Sequence, residues 1–390
     1  MANTDLTAAM RARNDEFFTQ YYDIEKEINA YLEQNADVFR NKTILLPCDD
    51  PEWSNFTKFF AQNFEAFGLK KLISTSYADA SKNYQSNYQP TLFETRDPQY
   101  DKKKTKVRGK IFTLDQDKNR DGKIDVDDLD WDYLSGDGDF RSDEVKRLRD
   151  SADIIITNPP FSLFREFLAW IVEADKEFLI IGNMNAITYK EVFPLIMGNR
   201  MWPGPTITSG DREFQVPDTF PINAVGWRVD DAGRRFLRIK GVRWFTNLDH
   251  GRRHQPLELM TIADNKKFNK KLNGTFAYQP YDNYDAIEIP FAGAIPLNYA
   301  GVMGVPITFL DKYSPDQFEI LGYEKSYNLR TKIYPQQLQI DKNGKKSSVT
   351  KLNDGAAIKV STPPDDTTYY VVDNENYVQL YKRIFIKHKK

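Results

Sequence analysis

Short, nearly continuous apolar runs bounded by turn residues recur through the first half of the chain: Thr43-Ile44-Leu45-Leu46, Leu72-Ile73, Ile154-Ile155-Ile156 and Phe178-Leu179-Ile180-Ile181. Runs of this length, rich in β-branched residues and without polar alternation, predict strands buried on both faces, as in a parallel sheet. Between them, apolar positions fall at helical spacing. Ile24, Ile28, Tyr31 and Leu32 predict a helix within residues 1–40, and further helices are expected over 54–67, 142–149 and 162–171, the last with Ser162 as its cap. Strands alternating with helices specify an α/β fold, a Rossmann-like sheet with helices on both faces. Residues 225–228 and 242–247 add strand-like runs. From about residue 256 the pattern changes: Gly, Pro, Tyr and Asn punctuate short β-type runs at 286–289, 331–334 and 369–372. The chain therefore divides into a sheet domain over 1–255, interrupted by a polar insert at 78–150, and a smaller β-rich or mixed domain over 256–390.

Composition narrows the picture. With 390 residues, 40% hydrophobic and 28% charged, the chain is long enough for two domains of ordinary globular character. No apolar run approaches a membrane span, and Met1-Ala2-Asn3-Thr4-Asp5 lacks the layout of a signal peptide, so a cytoplasmic protein with no membrane partner is expected. The single cysteine, Cys48, excludes an intrachain disulfide and a multi-thiolate metal site. A net charge of -2 means that any polyanion must be met by local positive charge. The densest basic region holds Arg234, Arg235, Arg238, Lys240 and Arg243, then Arg252, Arg253, Lys266, Lys267, Lys270 and Lys271, interleaved with aromatics as a nucleic-acid surface would be. The run Lys102-Lys103-Lys104-Thr105-Lys106-Val107-Arg108 is either a phosphate contact or a solvated loop.

The candidate chemistry sits where the run Asp153-Ile154-Ile155-Ile156-Thr157 meets Asn158-Pro159-Pro160-Phe161. Two prolines make a stiff turn at a strand's carboxyl end, where open α/β sheets place their ligands. Such a turn suits methylation of a poor nitrogen nucleophile. The lone pair of an exocyclic amine is delocalised into its ring, and two acceptors, the Asn158 side-chain oxygen and the Pro159 carbonyl, can take its two N–H bonds and aim the lone pair at a methyl. Phe161 would stack on the extruded base, and one of Trp244 and Phe245, adjacent aromatics on opposite faces of a strand, could meet it from the other side, core packing being the commoner fate of both. The first strand ends in Asp49-Asp50 with no glycine-rich phosphate cradle, which favours a phosphate-free cofactor such as S-adenosylmethionine over ATP or NAD. Helix-capping is the alternative role for these acids. Asp139-Phe140 could accept from an adenine amino group and stack on its ring; a surface turn with a buried Phe is the alternative.

Residues 117–128 fit a twelve-residue calcium loop, with Asp117, Asn119 and Asp121 at positions 1, 3 and 5, Gly122 at 6, the Lys123 carbonyl at 7 and Asp128 at 12. A structural calcium ion is the expectation.

The Asn158-Pro159-Pro160-Phe161 turn resembles motif IV of the amino methyltransferases. Together with Asn14-Asp15-Glu16-Phe17-Phe18-Thr19, Pro47-Cys48-Asp49-Asp50-Pro51 and Gly304-Val305-Pro306-Ile307-Thr308-Phe309-Leu310, it makes most of the chain similar to the EcoRI-type adenine-specific DNA methyltransferase family. The resemblance implies that Phe18 and Thr19 contact the methionine part of S-adenosylmethionine. It places Asp49 and Asp50 in motif I, Asp139 and Phe140 in motif III and residues 242–245 in motif VIII, and target recognition in the basic and C-terminal regions. It departs from this chain at motif I, which lacks glycines, and at the second strand, which lacks an acidic end. The expected activity is N6-methylation of a flipped adenine in double-stranded DNA, with a cognate restriction endonuclease as functional counterpart. Methylation of RNA or of a protein glutamine, and a non-catalytic DNA- or calcium-binding module, are the alternatives.

Overall fold

The computed structural model describes residues 19–47, 49, 54–78, 97–208, 211–216, 226–325 and 330–389. It separates into two compact units, Met1–Val192 with Arg200–Gly251 and Phe193–Asn199 with Arg252–Lys390. The sequence candidates Phe18 and Asp50 lie outside the described residues. Among the described residues, no helix is long and apolar enough to cross a membrane.

In the first unit α1 (Tyr21–Gln34) is followed by β1 (Thr43–Leu46), α2 (Asn55–Gln62), β2 (Lys71–Ser76), β3 (Lys110–Leu114), β4 (Asp130–Tyr133), α3 (Asp143–Ser151), β5 (Ile154–Thr157), α4 (Phe164–Glu173) and β6 (Glu177–Asn183). Then come β7 (Trp202–Pro203), β8 (Asp211–Val216), β9 (Trp227–Val229), β10 (Arg235–Lys240) and β11 (Val242–Thr246). Eight of these strands form one sheet in the order β4-β3-β2-β1-β5-β6-β11-β7. The four strands β2, β1, β5 and β6 run parallel, and they are the four apolar runs of the sequence, buried because helices cover both faces. Adjacent residues of β11 report those two faces: Trp244 meets Phe56 of α2 edge-on, and Phe245 meets Phe164 of α4. A separate antiparallel sheet, β8-β10-β9, buries Phe214, Val216, Leu237 and Ile239.

The insert departs from expectation. Instead of interrupting the sheet it extends it, since β3 and β4 pair antiparallel beyond β2. Their residues alternate, with Trp131 buried between exposed Asp130 and Asp132, and Trp131 stacks on Phe112. The last helix also begins later than its pattern suggests: Phe161–Leu163 forms a 3-10 turn, α4 starts at Phe164, and Leu163 rather than Ser162 takes the N-cap position.

The second unit is β-rich, as the sequence suggests. It holds a four-stranded sheet of β12 (Ile287–Glu288), β13 (Met303–Pro306), β20 (Arg383–His388) and β14 (Phe318–Tyr323). A five-stranded sheet orders β16 (Lys346–Val349), β15 (Gln337–Ile340), β18 (Tyr369–Val372), β19 (Glu375–Leu380) and β17 (Ala356–Val360). Residues 331–334 are not a strand. The Tyr334 N–H donates to the Asn353 side chain (2.9 Å) and its hydroxyl to Asp282 (2.7 Å), so side chains replace a neighbouring strand as partners.

Candidate active site

The chain order reverses between β1 and β5: β1 leads through α2 to one side of the sheet, and β5 leads through α4 to the other. A crevice at the carboxyl ends of these two strands is where such sheets bind ligands. Asp49 lies just beyond the end of β1, and Asn158 follows β5. Both sit at that edge.

Hydroxyl groups tie the two turns together. Thr157 Oγ1 donates to the Asp49 carboxylate (2.6 Å) and also lies within bonding distance of the Pro47 carbonyl (2.9 Å). Ser54 Oγ donates to the other Asp49 oxygen (2.8 Å) while accepting from Phe56 N–H as the N-cap of α2. Ser74 Oγ, from β2, donates to the Asp49 backbone carbonyl. Asp49 is therefore a buried clasp between three strand ends, with both side-chain oxygens accepting from hydroxyls. Next in α2, Asn55 Nδ2 donates to the Thr19 carbonyl (2.7 Å), which brings the amino-terminal candidate to the same turn. The Thr19 hydroxyl is buried without a hydrogen-bond partner among the described residues.

Past Thr157, Asn158 is half-buried, Pro159 is buried, and Pro160 and Phe161 are half-buried, with Phe161 leaning on the main core. The Leu163 N–H donates to the Pro160 carbonyl (2.9 Å), closing the turn. Under the following helix, Gly182 of β6 leaves room for Phe164: a Cβ there would stand 2.4 Å from the Phe164 ring.

Other candidates fall elsewhere. Asp139 is held in an ion pair by Arg141, whose Nε lies 2.8 Å from it. Phe140 is 1% exposed and packs against Phe167 and Trp170, so its ring serves the core. Trp244 and Phe245 are both 0% exposed beneath the helices named above, and neither offers a face to a base. Arg243 is buried, donating to the Val242 and Thr208 carbonyls, and Arg253 is buried against Asn199. These two guanidinium groups satisfy backbone and side-chain acceptors and are not surface charge. Arg234 is exposed and paired with Asp230, Arg235 and Arg252 are half-buried, and Lys266 and Lys267 are exposed beside Tyr278 and Phe268.

The calcium expectation finds no support. Among the described residues no three His, Cys, Asp or Glu side chains converge as a metal site. The loop's own N–H groups take its oxygens: Asp117 accepts from Arg120 and Gly122, Asn119 from Asp121, and Asp121 from Lys123. Asp128, the expected bidentate ligand, accepts from Lys118, Asn119 and Asp125 N–H groups, which hold its carboxyl below the usual range.

Comparison with known proteins decides the family. Residues 5–389 match the family described as the adenine-specific methyltransferase EcoRI. The chain belongs to this family. It is 40% identical over 323 residues to the type II methyltransferase M.EcoRI of Escherichia coli, covering 83% of this chain and 90% of that one. It is 33% identical over 334 residues to the type II methyltransferase M.MpnI of Mycoplasma pneumoniae, covering 84% and 89%. No solved structure matches. Membership of this EcoRI-type family makes the chain an adenine-specific methyltransferase, and the family's chemistry implies S-adenosylmethionine as methyl donor.

The residues present fit that donor. The buried Thr19 hydroxyl beside the Asp49 turn can bond a polar group of its methionine part. Thr157, Ser54 and Asn55 were not singled out from sequence; the only signal was a run of hydroxyl and amide residues at strand and helix ends.

Proposed function

We propose that Asn158, Pro159 and Phe161 carry methyl transfer to the N6 amine of an adenine flipped out of double-stranded DNA. The observation that supports this most is their place. The turn leaves β5 at the topological switch point and is pinned by the Thr157–Asp49 bond to the β1 turn that adjoins Thr19. When bound, S-adenosylmethionine supplies an electrophilic sulfonium methyl. Asn158 Oδ1 and the Pro159 carbonyl accept the two amine N–H bonds, which pyramidalises the nitrogen and favours the positive charge that develops on it. Phe161 stacks on the flipped ring, while Trp244 and Phe245 stay buried in the core. The methylated nitrogen then loses a proton to solvent. Thr19 binds the cofactor, and Asp49 shapes the turn around it through its hydroxyl partners.

Arg234, Arg235, Arg252, Lys266 and Lys267 supply phosphate contacts in this reading. The type II designation of the relatives supports a restriction–modification role, with a cognate endonuclease as counterpart.

Purified protein incubated with S-adenosylmethionine and unmethylated plasmid is expected to yield N6-methyldeoxyadenosine, detected by mass spectrometry of the digested product. Asn158→Ala should lower the rate by about 100-fold or more while cofactor and DNA affinity stay near wild type. Unchanged turnover in that variant would remove the assignment, and methylation of RNA or protein but not of DNA would replace the substrate.

A further inference from the structure

A second feature of the ligand edge has no place in the chemistry above. β2 runs parallel to β1, so its final residue, Ser76, lies on the same edge as Asn158. β3 is antiparallel to β2 and pairs its first residue, Lys110, with Ser76. The short helix Lys102–Val107 leads into that end of β3, so it too stands at the ligand edge. Close backbone packing holds this position. A Cβ on Gly109 would lie 2.5 Å from the Ser76 carbonyl oxygen and 2.8 Å from Gly138, so only glycine allows the three segments to meet.

The helix is unusually charged for one so short. Lys102, Lys103, Lys106 and Arg108 are exposed, and none has an ion pair among the described residues. The acid that opens the helix, Asp101, accepts from the Lys103 and Lys104 N–H groups as its cap and feels the charges of Lys104 and Lys103. Lys102 and Lys106 stand four apart, a like-charge spacing that destabilises a helix, and six residues cannot hold a helix alone. Anchors offset this: Thr105 is buried with its hydroxyl 2.7 Å from that of Tyr133, and Tyr133 also accepts from Asp101 N–H. The fold thus holds mutually repelling cations in one place, beside the site that must receive a polyanion.

We infer that Lys102, Lys103, Lys106 and Arg108 form a clamp on the phosphates of duplex DNA flanking the target adenine. The inference rests on the reading of DNA as substrate. From β5 to β3 there are three strand spacings of about 4.8 Å, so the clamp stands roughly 14 Å from the catalytic turn. At about 3.4 Å of rise per base pair, the phosphates it meets lie about four or more pairs from the flipped base.

The test compares wild type with the variant K102Q/K103Q/K106Q/R108Q, and with K102R/K103R/K106R, which keeps the charge. Affinity is measured across a salt series for one duplex with long flanks and one trimmed to about three pairs on each side. Wild type should prefer the long duplex. The glutamine variant should bind it about tenfold or more weaker at ~0.1 M salt, with a salt dependence shallower by about 0.9 for each phosphate no longer neutralised, and no length preference. The arginine variant should match wild type, and all three should share the same maximal rate on saturating DNA and the same melting temperature. Wild-type affinity, salt slope and length preference in the glutamine variant would overturn the clamp. A lowered melting temperature that the arginine variant shares would also count against it. Wild type that binds DNA without methylating it would overturn the catalytic reading instead, and the binding series would still decide the clamp.

Discussion

Thr157 stands one residue before the proposed catalytic turn and donates its hydroxyl to the side chain of Asp49. A buried hydrogen bond contributes about 0.5–1.5 kcal/mol, and this one ties the residue before Asn158 to the β1 turn. In the proposed mechanism Thr157 is a positioning residue acting through Asn158. In Thr157→Val the maximal rate should fall by about tenfold or more with the DNA KM unchanged, whereas Thr157→Ser should recover most of it. Steady-state kinetics on both variants checks this. A valine variant with a wild-type rate and only a lower melting temperature would leave Thr157 a purely structural residue.

Between strand and helix the fit is close enough to predict from one glycine. Gly182 lies under Phe164, the first residue of α4, with three ring atoms within 3.0 Å of where a Cβ would be. Gly182→Ala should therefore push Phe164 and the preceding turn away from β6, costing about 1–3 kcal/mol by overpacking. Both melting temperature and methylation rate should fall, and adding Phe164→Leu should restore part of each. Calorimetry and the nucleoside assay read the two effects. The elements themselves show which patterns are legible. The continuous apolar runs of β1, β2, β5 and β6 announced buried parallel strands, and each is one. β4 carries an alternating pattern, Asp-Trp-Asp-Tyr, that is equally strand-like, and β3 alternates in burial though not in polarity, so the charged residues around them masked both. The calcium-type spacing at 117–128 is not decisive for a related reason: Asx-rich loops satisfy their own backbone N–H groups in the same residue pattern that ligates a cation.

At the scale of the whole molecule, the second unit carries an ionic cluster that the sequence did not announce. Glu288 and Arg383 form a buried two-pronged ion pair (2.9 and 2.8 Å), and the Tyr281 hydroxyl donates to the same carboxylate. Near them Glu324 is buried, and burial pushes its pKa up from 4.5 to about 7, against the pull of the Ala356 and Arg383 backbone groups and the Arg383 charge. A carboxyl with a raised folded-state pKa binds its proton more tightly in the native state. Stability therefore falls as pH rises from about 4.5 to about 7 and levels off above that, by at most about 3 kcal/mol from this group. Glu324→Gln should remove the penalty, gaining stability over wild type at pH 8 but little at pH 4.5. Denaturant titrations at the two pH values check it, and a gain equal at both would contradict the linkage.

What the amino-acid sequence determined by itself was the local chemistry: a β-branched strand running into Asn-Pro-Pro-Phe, an acidic turn without a phosphate cradle, and the family these residues resemble. Such features depend on neighbours in the chain, whose propensities and bonding groups can be read directly. Which candidates face the site was a tertiary matter. Phe140, Trp244, Phe245, Arg243 and Arg253 have the residue types of a binding surface, yet each is buried, because burial depends on which helix crosses which strand. Asp49 kept its place at the site but acquired hydroxyl partners from β2, β5 and α2, segments as far as 108 residues away in the chain. The basic run at 102–108 gained its meaning only when the antiparallel pairing of β3 carried it to the edge where Asn158 stands.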